Sequence, residues 1–133
     1  MKKNTVGIII QNDDNKILLL LRDNKPNIPY PSRWYIPGGV VEAGETPQEA
    51  ITREMKEEME LKIPNILFFR TYDWPEKIEH MYYAKMNLDA AHIQLHEGQK
   101  IQYFDESTIE KMDLGFHDNK IAEDYFSSLK GST

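Results

Sequence analysis

Three glutamates, Glu54, Glu57 and Glu58, stand three and four residues apart in a stretch free of helix breakers. On a helix that spacing brings their carboxylates to one face. Like charges so placed destabilise an isolated helix by roughly 0.2–0.5 kcal/mol per pair. The arrangement makes chemical sense if a hard divalent cation joins them, because Mg²⁺ prefers oxygen ligands and works beside substrate phosphates. The plain alternative is a solvated acidic helix face.

The elements that must position these carboxylates lie on either side. Pro37-Gly38-Gly39 reads as a glycine-rich turn that ends a preceding strand. Thr46 is placed to cap a helix, with Pro47 at its first position and Glu49 completing a capping box. Ile51, Met55 and Met59 form an apolar stripe that can face a core. Glu49 and Arg53, four apart, are expected to pair and steady the first turns.

The whole stretch resembles the Nudix box, G-x5-E-x7-R-E-U-x-E-E-x-G-U, where U is a bulky aliphatic. Gly39, Glu45, Arg53, Glu54, Met55, Glu57, Glu58 and Leu61 fall on its positions. One position departs: Glu60 stands where the box has its second glycine. That glycine ends the helix in left-handed geometry, where a glutamate would cost about 1–2 kcal/mol unless the helix ends differently. Trp34 to Gly39 is similar to the family's lead-in, and Glu97-Gly98-Gln99 resembles a stretch of MutT-type members.

The resemblance implies a Nudix fold, an α/β/α sandwich with a mixed central sheet. It also implies Mg²⁺ or Mn²⁺ as cofactor and attack of water on a phosphorus atom of a nucleoside diphosphate linked to a group X. Glu54, Glu57, Glu58, the Gly38 carbonyl and Glu97 are the implied metal ligands. Glu54 and Glu97 are rival general bases. Arg53 matches the box arginine, which holds box carboxylates by ion pairing. Asn119 has two readings. By resemblance it reads a purine base, since an amide both donates and accepts; as a residue type it is an ordinary helix cap.

Elsewhere, Val6–Gln11 and Ile17–Leu21 read as two strands of a hairpin buried on both faces. Residues 23–33 form a proline-bearing loop long enough to bind a ligand, with Tyr30, Arg33 and Trp34 as possible contacts. Ile66–Trp74, Ile78–Leu88 and Lys100–Phe104 read as strands, and Ile93–Gln99 as a loop. A short helix is expected from Asp105 to Ser107 onward, and a last one from Asp118 or Asn119 to Leu129. His80, His92, His96 and His117 match no motif and read as surface or satisfied histidines.

The 133 residues suit a single domain over 1–133, and 40% hydrophobic content suits a globular one. A formal net charge of −6 argues against coating polymeric nucleic acid, and it requires cations to offset an anionic substrate. The absence of cysteine excludes disulfides, a thiol nucleophile and a cysteine zinc site. The start, Met1-Lys2-Lys3 before a short apolar run, lacks a leader's length and cleavage site. A cytoplasmic protein without membrane segments, acting on a small nucleotide, is the expectation. The favoured activity is a MutT-like pyrophosphohydrolase giving a nucleoside monophosphate and pyrophosphate. Its rivals are hydrolysis of a nucleotide sugar, ADP-ribose or dinucleoside polyphosphate, and a non-catalytic nucleotide-binding domain.

Overall fold

A computed structural model describes residues 2–131. Met1, Ser132 and Thr133, the first of them part of the leader-like start, lie outside the described residues. Two aliphatic runs build the centre, β1 (Lys3–Gln11) and β2 (Ile17–Leu21). Their residues alternate between two cores. Ile8, Ile10, Leu18 and Leu20 face one side; Ile9, Ile17 and Leu19 face the other. Residues 8–10 and Ile17–Leu21 are apolar throughout because both faces are covered there.

The first core is closed by helix α1 (Pro47–Met59) through Ala50, Ile51, Met55 and Met59. The second is closed by α2 (Glu106–Ile109) and α3 (Asp118–Lys130) through Ile109, Ile121, Ala122, Tyr125 and Phe126. The architecture is the expected α/β/α sandwich.

The sheet is mixed. β1 runs parallel to β6 (Lys77–Lys85) over its whole length, and β5 (Leu67–Asp73) forms a hairpin with β6. On the other side β1 pairs antiparallel with β2 at the Gln11–Ile17 end. β2 in turn pairs with β3 (Trp34–Tyr35) and with β7 (Lys100–Phe104).

The segment read as a glycine turn is different. Gly38–Val40 is a short strand, β4, whose Gly38, Gly39 and Val40 pair with Gly7, Val6 and Thr5 of β1. Its backbone hydrogen bonds are satisfied by residues more than thirty positions away, so local composition does not reveal it. β6 also ends at Lys85, three residues before the expected Leu88, and a single 3₁₀ turn follows at Ala90–His92.

Helix α1 begins as its sequence dictates. Thr46 accepts the Glu49 amide at 3.1 Å, and the Glu49 carboxylate accepts the Thr46 amide at 2.8 Å. This bond takes Glu49 away from Arg53, so the expected Glu49–Arg53 pair is not the one formed. The helix ends on Glu60 at φ 53° and ψ 35°, the left-handed geometry of a glycine cap. The Glu60 and Leu61 amides bond back to Lys56 and Met55. At the last helix the cap is His117, whose side chain makes no capping bond, and Asp118 is the first helical residue.

Candidate active site

A cleft of about 990 Å³ opens between β4, α1, the start of β6 and the loops that carry Tyr30, Glu97 and Phe116. Gly38, Gly39, Arg53, Glu54, Glu57, Glu58 and Glu97 all line it. Arg33 and Asn119 do not.

Arg53 organises the carboxylate end. Its Nε donates to Glu45 at 2.6 Å, and its Nη2 reaches Glu45 and the Val40 carbonyl, each at 3.0 Å. Its Nη1 donates to Glu54 at 2.9 Å and Glu57 at 3.2 Å. One guanidinium therefore ties the β4–α1 connection to the acidic face, a planar fork that lysine lacks. Its bond to Glu45 holds that carboxyl below the usual carboxylate range.

The carboxylates that converge are not quite the expected trio. Glu58 is buried, and its carboxyl group meets those of Glu97 and Glu54. Burial, followed by the proximity of Glu97 and Glu54, pushes the Glu58 pKa well above the carboxylate range. Glu57 is turned outward onto Arg53 and its side chain is 59% exposed. Among the described residues, no three acidic or histidine side chains already form a closed ligand set. The donor chemistry nevertheless suits a hard cation. Glu58 Oε2 is buried without a hydrogen-bond partner, beside further carboxylate oxygens.

Gly39 makes room for this cluster. A Cβ there would lie 2.2 Å from the carboxyl carbon of Glu54. Glu97 is brought in by its loop. Gly98 adopts φ +81°, and a Cβ on it would lie 2.8 Å from Leu20 Cδ1 and 2.9 Å from the Leu21 carbonyl oxygen. The Gln99 amide bonds to that same oxygen at 2.8 Å.

Aromatic and cationic side chains also line the cleft. Tyr30 and Phe116 lie with ring centroids 4.9 Å apart. Arg22 and Lys77 reach over the Phe116 ring, at 5.2 and 4.9 Å from its centroid. Asp118 is buried there, and its Oδ2 accepts the Ile36 amide at 2.7 Å. Burial, then the nearby Glu79, pushes the Asp118 pKa up to about 8. Type and spacing do not single out Arg22, Lys77, Asp118 or Glu79. The one available signal is Arg22 as the first charge after five aliphatic strand residues.

The two residues expected at the substrate are placed elsewhere. The exposed Arg33 lies over the Tyr30 ring, 5.5 Å from its centroid, outside the cleft. The Asn119 amide group is engaged locally. It accepts the Leu114 amide and donates to the Met112 carbonyl, both at 2.9 Å, closing the loop before α3. It is neither in the cleft nor the helix cap. Trp34 packs edge-on against Phe104. All four histidines have polar side-chain partners, and His96 alone of them lines the cleft.

Residues 1–125 match the NUDIX domain. The chain belongs to the Nudix family. It is 36% identical over 125 residues to an ADP-ribose pyrophosphatase of Methanocaldococcus jannaschii, a match covering 89% of this chain and 70% of that protein. It is 31% identical over 80 residues to an 8-oxo-dGTP diphosphatase of Escherichia coli, covering 58% of this chain and 60% of that protein. Among solved structures, the NUDIX domain of Shewanella oneidensis NrtR, complexed with ADP ribose, superposes with a TM-score of 0.79. That alignment covers 97% of this chain and 89% of the other at 21% identity, a likeness of fold. Fold and family support Nudix-type hydrolysis of a phosphoanhydride in a nucleoside diphosphate linked to X. No helix among the described residues is long and apolar enough to cross a membrane.

Proposed function

We propose that this single domain hydrolyses the phosphoanhydride of a nucleoside diphosphate sugar of the ADP-ribose type. The observation that carries the reading is the meeting of Glu54, Glu58 and Glu97 in a cleft that aromatic and cationic side chains also line. Such a cleft offers oxygen ligands and cations to a diphosphate and aromatic rings to a nucleoside. A relative matched over 125 residues is an ADP-ribose pyrophosphatase, and Asn119, the residue that favoured a MutT-like substrate, lies outside the cleft.

The residues divide the work. Glu54, Glu58 and Glu97, with the Gly38 carbonyl and a reoriented Glu57, would hold Mg²⁺ or Mn²⁺. The bound ion supplies charge neutralisation at the phosphoryl oxygens and an acidified water. Glu54 is engaged by Arg53, whereas Glu97 meets other carboxylates. Glu97 is therefore the better acceptor for the proton of the attacking water. Arg22, Lys3 and Lys77 line the cleft and offset the substrate's charge. Tyr30 and Phe116 offer a surface for the base, and Asp118 a polar group for its edge.

A second reading, release of pyrophosphate from a nucleoside triphosphate, is favoured by the similarity to the 8-oxo-dGTP diphosphatase. The test is turnover with Mg²⁺ of ADP-ribose, nucleotide sugars, dinucleoside polyphosphates and triphosphates. The expected result is AMP and ribose 5-phosphate from ADP-ribose, with kcat/KM about 10²-fold above that for any triphosphate. Preferential release of pyrophosphate from a triphosphate establishes the second reading. Loss of turnover with EDTA is expected, and full activity without metal overturns both.

A further inference from the structure

Glu60 combines two features that stability does not explain together. It holds a left-handed backbone, φ 53° and ψ 35°, at the position where the box has glycine. Its side chain reaches the loop that carries Glu97: Glu60 Oε2 lies 2.6 Å from His96 Nε2. Both side chains are half-exposed, at 58% and 50%, and a solvent-facing pair contributes little stability. Glycine would relieve the backbone strain, so glutamate is disfavoured here on stability grounds alone.

The loop shows what the contact does. The His96 amide donates to the Glu58 carbonyl at 2.8 Å, so His96 is bonded to the end of α1 through both backbone and ring. Three residues later the chain is fastened to β2. The Gln99 amide bonds to the Leu21 carbonyl and its side-chain nitrogen to the Arg22 carbonyl, each at 2.8 Å. Glu97 stands between these anchors and meets Glu58. The β2 anchor belongs to backbone and Gln99. On the helix side, the Glu60 carboxylate is the side-chain fastening.

We infer that Glu60 is a positioning residue that, through His96, holds the 93–99 loop so that Glu97 stays at the carboxylate cluster. It acts on the site only through His96. The inference rests on the reading that Glu97 works at that cluster.

The test compares Glu60→Gly, Glu60→Gln and Glu97→Gln. In Glu60→Gly the melting temperature is expected to hold or rise, because glycine relieves the backbone. Its kcat should fall about 10- to 10²-fold, the scale of a misplaced reacting group, with KM within about twofold of the parent. The His96 amide should exchange hydrogen faster, and Mn²⁺ alone, titrated calorimetrically, should bind more weakly. Glu60→Gln retains an oxygen that can accept from His96 and should recover most of the activity. Unchanged kcat in Glu60→Gly beside an impaired Glu97→Gln overturns the positioning role alone. An unimpaired Glu97→Gln removes the reading beneath it and this inference together. Loss of both melting temperature and kcat, unrescued by glutamine, also overturns it, since Glu60 would then serve only the helix end.

Discussion

Gly39 and Glu54 are in contact by design of the backbone: a single carbon added to Gly39 would lie 2.2 Å from the Glu54 carboxyl carbon. The obstructing atoms belong to the end of a side chain, so Gly39→Ala should fold and push Glu54 aside. No positive φ constrains this position. The expected result is a native circular dichroism spectrum, with kcat reduced on the order of 10²-fold at saturating substrate and Mg²⁺. Near-parental kcat would show that the position of Glu54 does not matter to the reaction.

Arg53 ties the Glu45 loop to two helix carboxylates through a five-bond fork. Arg53→Lys keeps the charge and loses the fork. It should lower kcat roughly tenfold and lower the melting temperature. Glu45→Gln removes part of the same link, so the double variant should be less impaired than the two single losses added together. Full additivity in melting temperature and rate would show that the two side chains act separately.

Much of this was legible from the residues, and the misses share a cause. Helix α1, its Thr46–Glu49 capping box and the alternating burial of β1 and β2 depend on neighbours a few positions away. So does β7, observed at its expected bounds of Lys100 to Phe104. Strand β4 exists only because Gly38 and Gly39 find β1, a distant partner. Arg22 enters the cleft and Arg33 does not because of the path of residues 23–33, which composition does not specify. Glu57 lies on the expected helix, but its rotamer is set by Arg53 rather than by spacing. Asp118 is the clearest loss. Its side chain matters because Ile36, far away in sequence, donates to it.

Asn119→Ala removes two bonds that close the loop at Met112 and Leu114. Each contributes about 1 kcal/mol, so stability should fall by roughly that to twice that amount. Since Asn119 is outside the cleft, kcat/KM should change by the same small factor for purine and pyrimidine substrates. A selective loss of purine hydrolysis, with an unchanged melting curve, would return Asn119 to base recognition.

Asp118 should give this protein a pH dependence of stability opposite to that of an ordinary salt-bridged aspartate. Burial first, then Glu79, raise its pKa from the ordinary aspartate value of 3.8 to about 8. Between those values the folded chain retains a proton at Asp118 that the unfolded chain releases. Stability therefore falls as pH rises, by at most about 1.4 kcal/mol per pH unit from this group. Its contribution is fully present below about pH 4 and is lost by about pH 8. Asp118→Asn keeps an oxygen to accept the Ile36 amide but cannot ionise. The variant should be more stable than the parent at pH 8, and its melting temperature should decline less steeply between pH 5 and 8. Some slope should persist, because the raised Glu58 acts in the same direction and is untouched. The neutral acid can also donate to a base in the cleft. The asparagine variant offers an amide instead, so its substrate preference below pH 7 should stay close to that of the parent, which at higher pH presents a carboxylate. Parallel melting profiles for parent and variant from pH 4 to 8 would show that Asp118 does not hold its proton.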